Sequence, residues 1–449
     1  MTGRHTLIEV FRRAIGGPFA SSLGIPALRS VAIRVANIGL SLGVSILLAR
    51  ILGADGLGVY AGAMAVVTLL AVPAGSGVPF SLVQLISRYL AANELAYARG
   101  SIRWGYAQVL GAGLLLGSFG AIGVVNFISS ENNALPAYLL AFSLLPLLCL
   151  TSVQRGILNA LEFFTLSQVP QSLIRPGFLA ALLIAWMIFW PEYKGHAGTA
   201  MSMQLSAHVV AFLVGAVFLG RFGSRALPHG PRAYDFRRWY GVSLPLVVSG
   251  AAGVVLSQTD LVMLSWLEPP ASAGLYRVAV GASFLVALPL MAVNIPLAPA
   301  VARGHELQIK DELQRMLTFS VRWAFAGCLP IALVFILAGD WLLGVVYGWE
   351  FAIAYPVLVV LALAQVFSVA AGSVDVVLQM TGHQHNAARG LLIAAGVNVA
   401  LNAALIPAFG PLGAAFATGA SIVLWNALML HSVVRKLNVD PTLFGRTRS

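Results

Sequence analysis

The sequence predicts an all-α fold: a polytopic membrane protein of twelve transmembrane helices arranged as two six-helix lobes. Three observations predict it. The 449 residues are 59% hydrophobic and 10% charged, with a mean hydropathy of +0.87, whereas soluble domains are about 45–50% apolar and about 25% charged. Apolar stretches of about 20 residues recur along the chain, the length that crosses a hydrocarbon core about 30 Å thick at 1.5 Å per residue. The chain also echoes itself: Gly58, Tyr60 and Pro73 return 216 residues later as Gly274, Tyr276 and Pro289.

With Arg, Pro and Gly as punctuation, spans fall near residues 29–50, 57–84, 104–128, 134–158, 165–190 and 197–220, then 239–267, 273–300, 317–339, 353–380, 388–408 and 411–432. The organisation is a segment 1–28, a first lobe 29–220, a basic linker 221–238, a second lobe 239–432 and a tail 433–449. Twelve spans of about 22 residues consume roughly 264 positions, so no appended soluble domain is expected. The first apolar run is too long and starts too late for a cleavable signal peptide. Residues 4–15 pattern either as an interfacial amphipathic helix or as a basic tail.

Charge gives orientation. Segments after odd-numbered spans are short and acidic, carrying Asp55, Glu131, Glu192, Glu268, Asp340 and Glu350. The opposite segments hold most of the arginines, among them Arg99, Arg103, Arg221, Arg237, Arg238, Arg303 and Arg435. Basic residues stay on the cytoplasmic side, so both termini are expected in the cytoplasm. The net charge of +11 is thereby a topology signal, and no nucleic-acid partner is expected. Twenty-four Arg against three Lys, with abundant Ala and Gly, points to a bacterial inner membrane.

An even number of spans separates the two echoes, so the duplication is a parallel repeat about an axis along the membrane normal. Pro73, Gly75, Gly77 and Pro79 interrupt span two, and Pro289, Pro296 and Pro299 interrupt span eight. Proline removes a backbone donor and frees a carbonyl, so both spans are expected to bend and act as gates. A simple packing kink is the alternative.

Polar residues inside the spans mark a cavity. Ser30, Arg34, Asn37, Ser41 and Ser45 fall on one face of span one; Gln168, Gln171, Ser172 and Arg175 do so on span five. Gln365, Ser368, Gly372, Asp375 and Gln379 stripe span ten, Asp260 sits on span seven, and Arg277 lies just inside span eight. Intramembrane charges are costly and face a bundle interior or water. Arg34, Arg175 and Arg277, with Asn37, Gln171 and Gln365, are therefore the candidate binding residues. An Arg fork suits phosphate or diphosphate. Asp260 and Asp375 are candidate ion-coupling groups or counter-charges. Arg34 and Arg277, near span ends, can equally snorkel to an interface; Arg175, about 15 Å deep by helical rise, cannot do so readily.

Other chemistry is disfavoured. None of the three lysines, Lys194, Lys310 and Lys436, follows a glycine, so no Walker motif exists. His383 and His385 stand without a Cys or carboxylate cluster, and no metal or cofactor is called for. Cys149 and Cys328 lie in apolar runs, as core residues rather than a disulfide. A polymerase or ligase needs a large outer loop, and the longest here is about a dozen residues.

Two stretches carry a family resemblance. Leu48-Ala-Arg-Ile-Leu-Gly-Ala-Asp-Gly-Leu-Gly-Val-Tyr60 with Pro73, and Gln258-Thr-Asp-Leu-Val-Met-Leu-Ser-Trp-Leu continuing to Gly274-Leu-Tyr276, with Leu378-Gln-Met-Thr-Gly382, resemble the Wzx-type polysaccharide-biosynthesis flippases. These belong to the multidrug/oligosaccharidyl-lipid/polysaccharide exporter superfamily. The resemblance implies a MATE-like pair of lobes and alternating access. It also implies export of a polyprenyl-diphosphate-linked oligosaccharide, driven by H+ or Na+ exchange or by membrane potential. Membrane lipid, a polymerase and glycosyltransferases are the implied partners. A cationic-drug antiporter is the rival within the superfamily; the two extra spans common in lipid II flippases are not found.

Overall fold

A computed structural model describes residues 18–445 apart from 76, 128–133, 191–195, 224, 225, 229 and 308. The segment 4–15 therefore lies outside the described residues, and so does the side chain of Ser30. Ten described helices are long and apolar enough to cross a bilayer, and two of them, covering residues 32–91 and 384–437, are double length. Each double helix breaks once between two spans, at Gly53 (φ 69°) and Gly410 (φ 53°), where only glycine takes a left-handed backbone without cost. Twelve spans result.

They are α1 (18–52), α2 (54–75, continued by Gly77–Ala91), α3 (Leu95–Phe127), α4 (Leu135–Ala160), α5 (Phe164–Phe189) and α6 (Ala197–Phe218). The second set is α7 (Phe236–Leu267), α8 (Pro270–Glu306), α9 (Lys310–Tyr347), α10 (Tyr355–Ala371 with Val374–Met380), α11 (384–409) and α12 (411–437). Span nine ends where expected, at a kink at Ala338 (φ −137°), but the segment expected as an outer loop from Asp340 to Phe351 is helical to Tyr347 and then a 3-10 turn over Trp349–Ala354.

Small residues set the helix spacing, as expected where lipid offers no hydrophobic drive to association. A Cβ at Gly156 would stand 2.6 Å from the Pro79 carbonyl oxygen, and one at Gly120 2.2 Å from the Phe142 ring. At the acidic end of the bundle the repeated glycines make the seam between the lobes: a Cβ at Gly58 would lie 1.7 Å from the Pro270 carbonyl oxygen, and one at Gly274 2.1 Å from that of Ala54. Arg50 donates to the carbonyls of Val346 (2.8 Å) and Val345 (2.5 Å), tying α1 to the end of α9.

The basic end is stitched differently. Ser243 donates to Ser81 (2.7 Å), and the Trp239 indole to Tyr89 (3.0 Å), joining α7 to α2. Arg99 on α3 donates to the carbonyls of Pro228 (2.7 Å) and Pro231 (3.0 Å), and the Ala233 amide to that of Ala96 (3.0 Å), so the interlobe linker lies pinned along α3. The segment after α12 is pinned in the same way. Gln314 on α9 donates to the Asp440 carbonyl (2.6 Å) and accepts from its amide (2.7 Å), while the Leu443 amide donates to Ala370 O (3.0 Å).

The two proline-rich spans part company. α2 is interrupted beside Gly75 and Gly77, whereas α8 runs as one helix through Pro289, Pro296 and Pro299. Span eight therefore keeps its prolines within an unbroken helix. Neighbouring helices carry α8 past its prolines, and Ser373 donates to Asn294 between them. Within the spans of the second lobe the backbone leaves the helix at Ala338 in α9 (φ −137°, ψ 21°) and at Gly372 in α10 (φ 80°), where the Pro441 carbonyl would sit 2.0 Å from any Cβ.

Candidate functional site

Arg175 owes its place to a local departure from α-helix. Pro170 and Pro176 flank a π-turn over Pro170–Ile174, and the Arg175 amide donates to the Pro170 carbonyl five residues back. Such a bulge re-aims the next side chain and recurs at functional sites. Arg175 forms part of the wall of two adjoining cavities, of about 220 and 200 Å³, which also share Thr68. The larger cavity lies between the lobes: Ser41, Ser45 and Tyr60 come from the first, and Gln258 and Arg277 from the second. Tyr60, 8% exposed, lies within electrostatic reach of both Arg175 and Arg277. The smaller cavity is bounded by Gln171, Thr151, Ser152, Cys149 and His208.

The structure thus brings together Arg175, Gln171 and Arg277 of the predicted residues. Arg34 is exposed and lies within electrostatic range of Arg155 instead, and Asn37 accepts from Ser41 (3.4 Å). Neither Arg34 nor Asn37 borders the two cavities, and Gln365, half-buried on α10, does not either. Gly75 lies on the smaller cavity; its Cβ would meet Val109 at 2.5 Å, and that of Gly77 would meet the Ser243 carbonyl at 2.5 Å. These two glycines permit close approach of α2 to α3 and α7.

The two aspartates differ sharply. Asp260 is 3% exposed and accepts hydrogen bonds from Tyr276 (2.5 Å), Asn402 (2.5 Å) and Thr418. Asn402 donates further to Asn398 (3.0 Å), and its own Oδ1 has no partner among the described residues. A carboxylate buried without a cation must be held by donors, and α8, α11 and α12 supply them. Asp375 is exposed and, among the described residues, accepts only from Gln379 one turn on (2.8 and 2.7 Å). Sequence reasoning missed Asn398, Asn402, Thr418 and His208. The first two, spaced four apart within an apolar run, are a polar pair on one helix face, and that spacing was the available signal.

Residues 28–305 match the family model described as polysaccharide biosynthesis protein. The chain belongs to this family. A relative from Haloferax volcanii, the probable low-salt glycan biosynthesis flippase Agl15, is 24% identical over 386 residues, covering 85% of this chain and 77% of that one. Among solved structures, lipid II flippase MurJ in an inward closed conformation superposes with TM-score 0.71 at 15% identity, covering 90% of this chain and 87% of that one. An inward-facing multidrug resistance MATE family transporter superposes with TM-score 0.68 at 14% identity, covering 91% and 99%. The fold of this polysaccharide biosynthesis family member is therefore MATE-like, a multi-pass helical bundle.

Proposed function

We propose that the protein is a flippase that carries a polyprenyl-diphosphate-linked oligosaccharide from the cytoplasmic to the outer leaflet of the inner membrane, with both termini cytoplasmic. The observation that carries this reading is the interlobe cavity, walled by Arg175 of one lobe and Arg277 of the other with Tyr60 near both. A diphosphate is a concentrated anion that cannot enter hydrocarbon, and planar guanidinium groups bind it through paired hydrogen bonds. Guanidiniums on opposite lobes hold the anion while the lobes rearrange, and the polyprenyl tail stays in lipid. Family membership and the likeness to Agl15 support the same reading. The cationic wall disfavours an organic-cation antiporter, and the described connections between helices are too short to fold over a sugar as a polymerase must.

Energy enters at the Asp260 cluster. Carboxylate, amide and hydroxyl oxygens suit a proton or a small hard cation such as Na+, and α7, α8, α11 and α12 all contribute to the cluster or donate to it. Exchange of that ion would bias the second lobe between its two arrangements.

The test uses purified protein in proteoliposomes with a fluorescent lipid-linked oligosaccharide diphosphate. Wild type is expected to flip it and Arg175→Ala to abolish flipping while still inserting. Full flipping by Arg175→Ala, or efflux of an organic cation with no lipid flipping, overturns the reading.

A further inference from the structure

The smaller cavity presents an unusual surface. Its hydroxyls have already spent their protons on backbone carbonyls: Thr151 and Ser152 donate to Leu148 O (3.0 and 2.9 Å), and Thr68 donates to Met64 O (2.7 Å). Each therefore offers lone pairs to whatever fills the cavity. His208 behaves likewise. It is 2% exposed, and its Nδ1 meets the Gln204 carbonyl at 2.8 Å. A carbonyl only accepts, so Nδ1 carries the proton, and Nε2 of the neutral ring is left as a lone-pair acceptor.

Apart from Gln171 and Arg175, the polar groups of this wall present acceptors, which disfavour phosphate, itself all acceptor. It matches sugar hydroxyls, which are donors. Arg175, common to both cavities, stands where the two chemistries meet.

We infer that this cavity is a hydroxyl-reading subsite for the sugar joined directly to the diphosphate, with His208 and Thr151 as specificity-determining acceptors and the diphosphate on the Arg175 and Arg277 side. The inference rests on the lipid-diphosphate reading above and adds to it the place and polarity of sugar recognition. A site built to pair with a hydroxyl discriminates strongly against a ligand lacking it, because the buried groups are then left unpaired.

Binding of four probes to the full-length protein in nanodiscs tests this: bare polyprenyl diphosphate, and the same lipid bearing one glucose, one galactose or one N-acetylglucosamine. Wild type is expected to bind at least one sugar-bearing probe about tenfold or more tightly than the bare lipid. His208→Phe, which keeps an aromatic ring without the lone pair, is expected to bring that ratio to about one. His208→Gln, which restores an acceptor near Nε2, should recover part of it. Thr151→Val provides a second variant that keeps side-chain shape, and thermal unfolding checks that each variant is folded. Equal binding of all four probes by wild type, or a ratio untouched by both His208→Phe and Thr151→Val, overturns the inference and leaves the flippase reading standing. Binding of none of the four by wild type removes both.

Discussion

Gly58 and Gly274, separated by 216 residues in sequence, meet backbone to backbone: a Cβ on Gly274 would stand 3.1 Å from the Gly58 nitrogen. The duplicated motif thus joins its own two copies at the acidic end of the interlobe seam. What a Cβ at Gly58 would strike is backbone, at 1.7 Å, so no rotamer change relieves it. Gly58→Ala is expected to part α2 from α8. Leu57, 2% exposed and on the cavity, reports this as Leu57→Cys in a background lacking Cys149 and Cys328. Labelling by a membrane-impermeant maleimide should be slow with Gly58 and at least several-fold faster with Gly58→Ala. Equal rates would show the seam is not the barrier.

The aspartates should separate in stability and in coupling. Asp260→Ala removes the acceptor shared by Tyr276, Thr418 and Asn402; because Asn402 keeps Asn398 and the two hydroxyls keep each other, the loss is about 1–3 kcal/mol in all. Asp375, exposed and bonded to Gln379, should tolerate Asn within about 0.5 kcal/mol. Thermal unfolding compares them. If Asp260 holds the coupling ion, Asp260→Asn flips substrate at a rate indifferent to pH and sodium gradients, whereas Asp375→Asn keeps the wild-type response.

Arg175→Lys distinguishes charge from geometry. An ammonium keeps the positive charge but loses the planar fork, so flipping should fall by about tenfold, one lost charge-assisted hydrogen bond of about 1.4 kcal/mol, short of the full loss expected for Ala. Rates in proteoliposomes decide it; wild-type flipping by the lysine variant would mean that charge alone suffices.

Gln314→Ala removes both bonds to the backbone of residue 440, at about 1 kcal/mol each. Amide exchange over residues 438–445 should quicken, and so should that of residues next to the α10 break, because Leu443 holds the Ala370 carbonyl. Exchange confined to residues 438–445 would show that the segment merely rests on α10.

Much of this architecture was legible in the sequence because hydropathy and buried charge are local signals. The spans and the cost of Arg175 and Asp260 can each be read from a window of one helix, and the repeat from matching two such windows. Partners cannot: Asp260 is held by Asn402 and Thr418, 142 and 158 residues away, and no periodicity announces that meeting. Proline content alone does not locate the breaks, since α8 runs as one helix through Pro289 and Pro296, whereas α10 breaks at Gly372, which has no proline next to it in sequence. The sorting of the arginines also needed tertiary contacts. Arg34 and Arg277 are alike in depth and residue type, and only the facing helices separate Arg34 beside Arg155 from Arg277 on the cavity wall.

The pinned linker has a mechanical meaning. Ala233 is fastened to α3, and only Tyr234 and Asp235 separate it from the start of α7 at Phe236. The second lobe therefore hangs from the first on a short fulcrum, with α7 as its lever arm. At 1.5 Å per residue the 32 residues of α7 make an arm of about 48 Å, so a swing of roughly 10° at the fulcrum displaces the far end by about 8 Å. Under the proposed rearrangement of the lobes, the tether would turn a slight angular change at the basic end into a stroke at the acidic end long enough to part the two glycines.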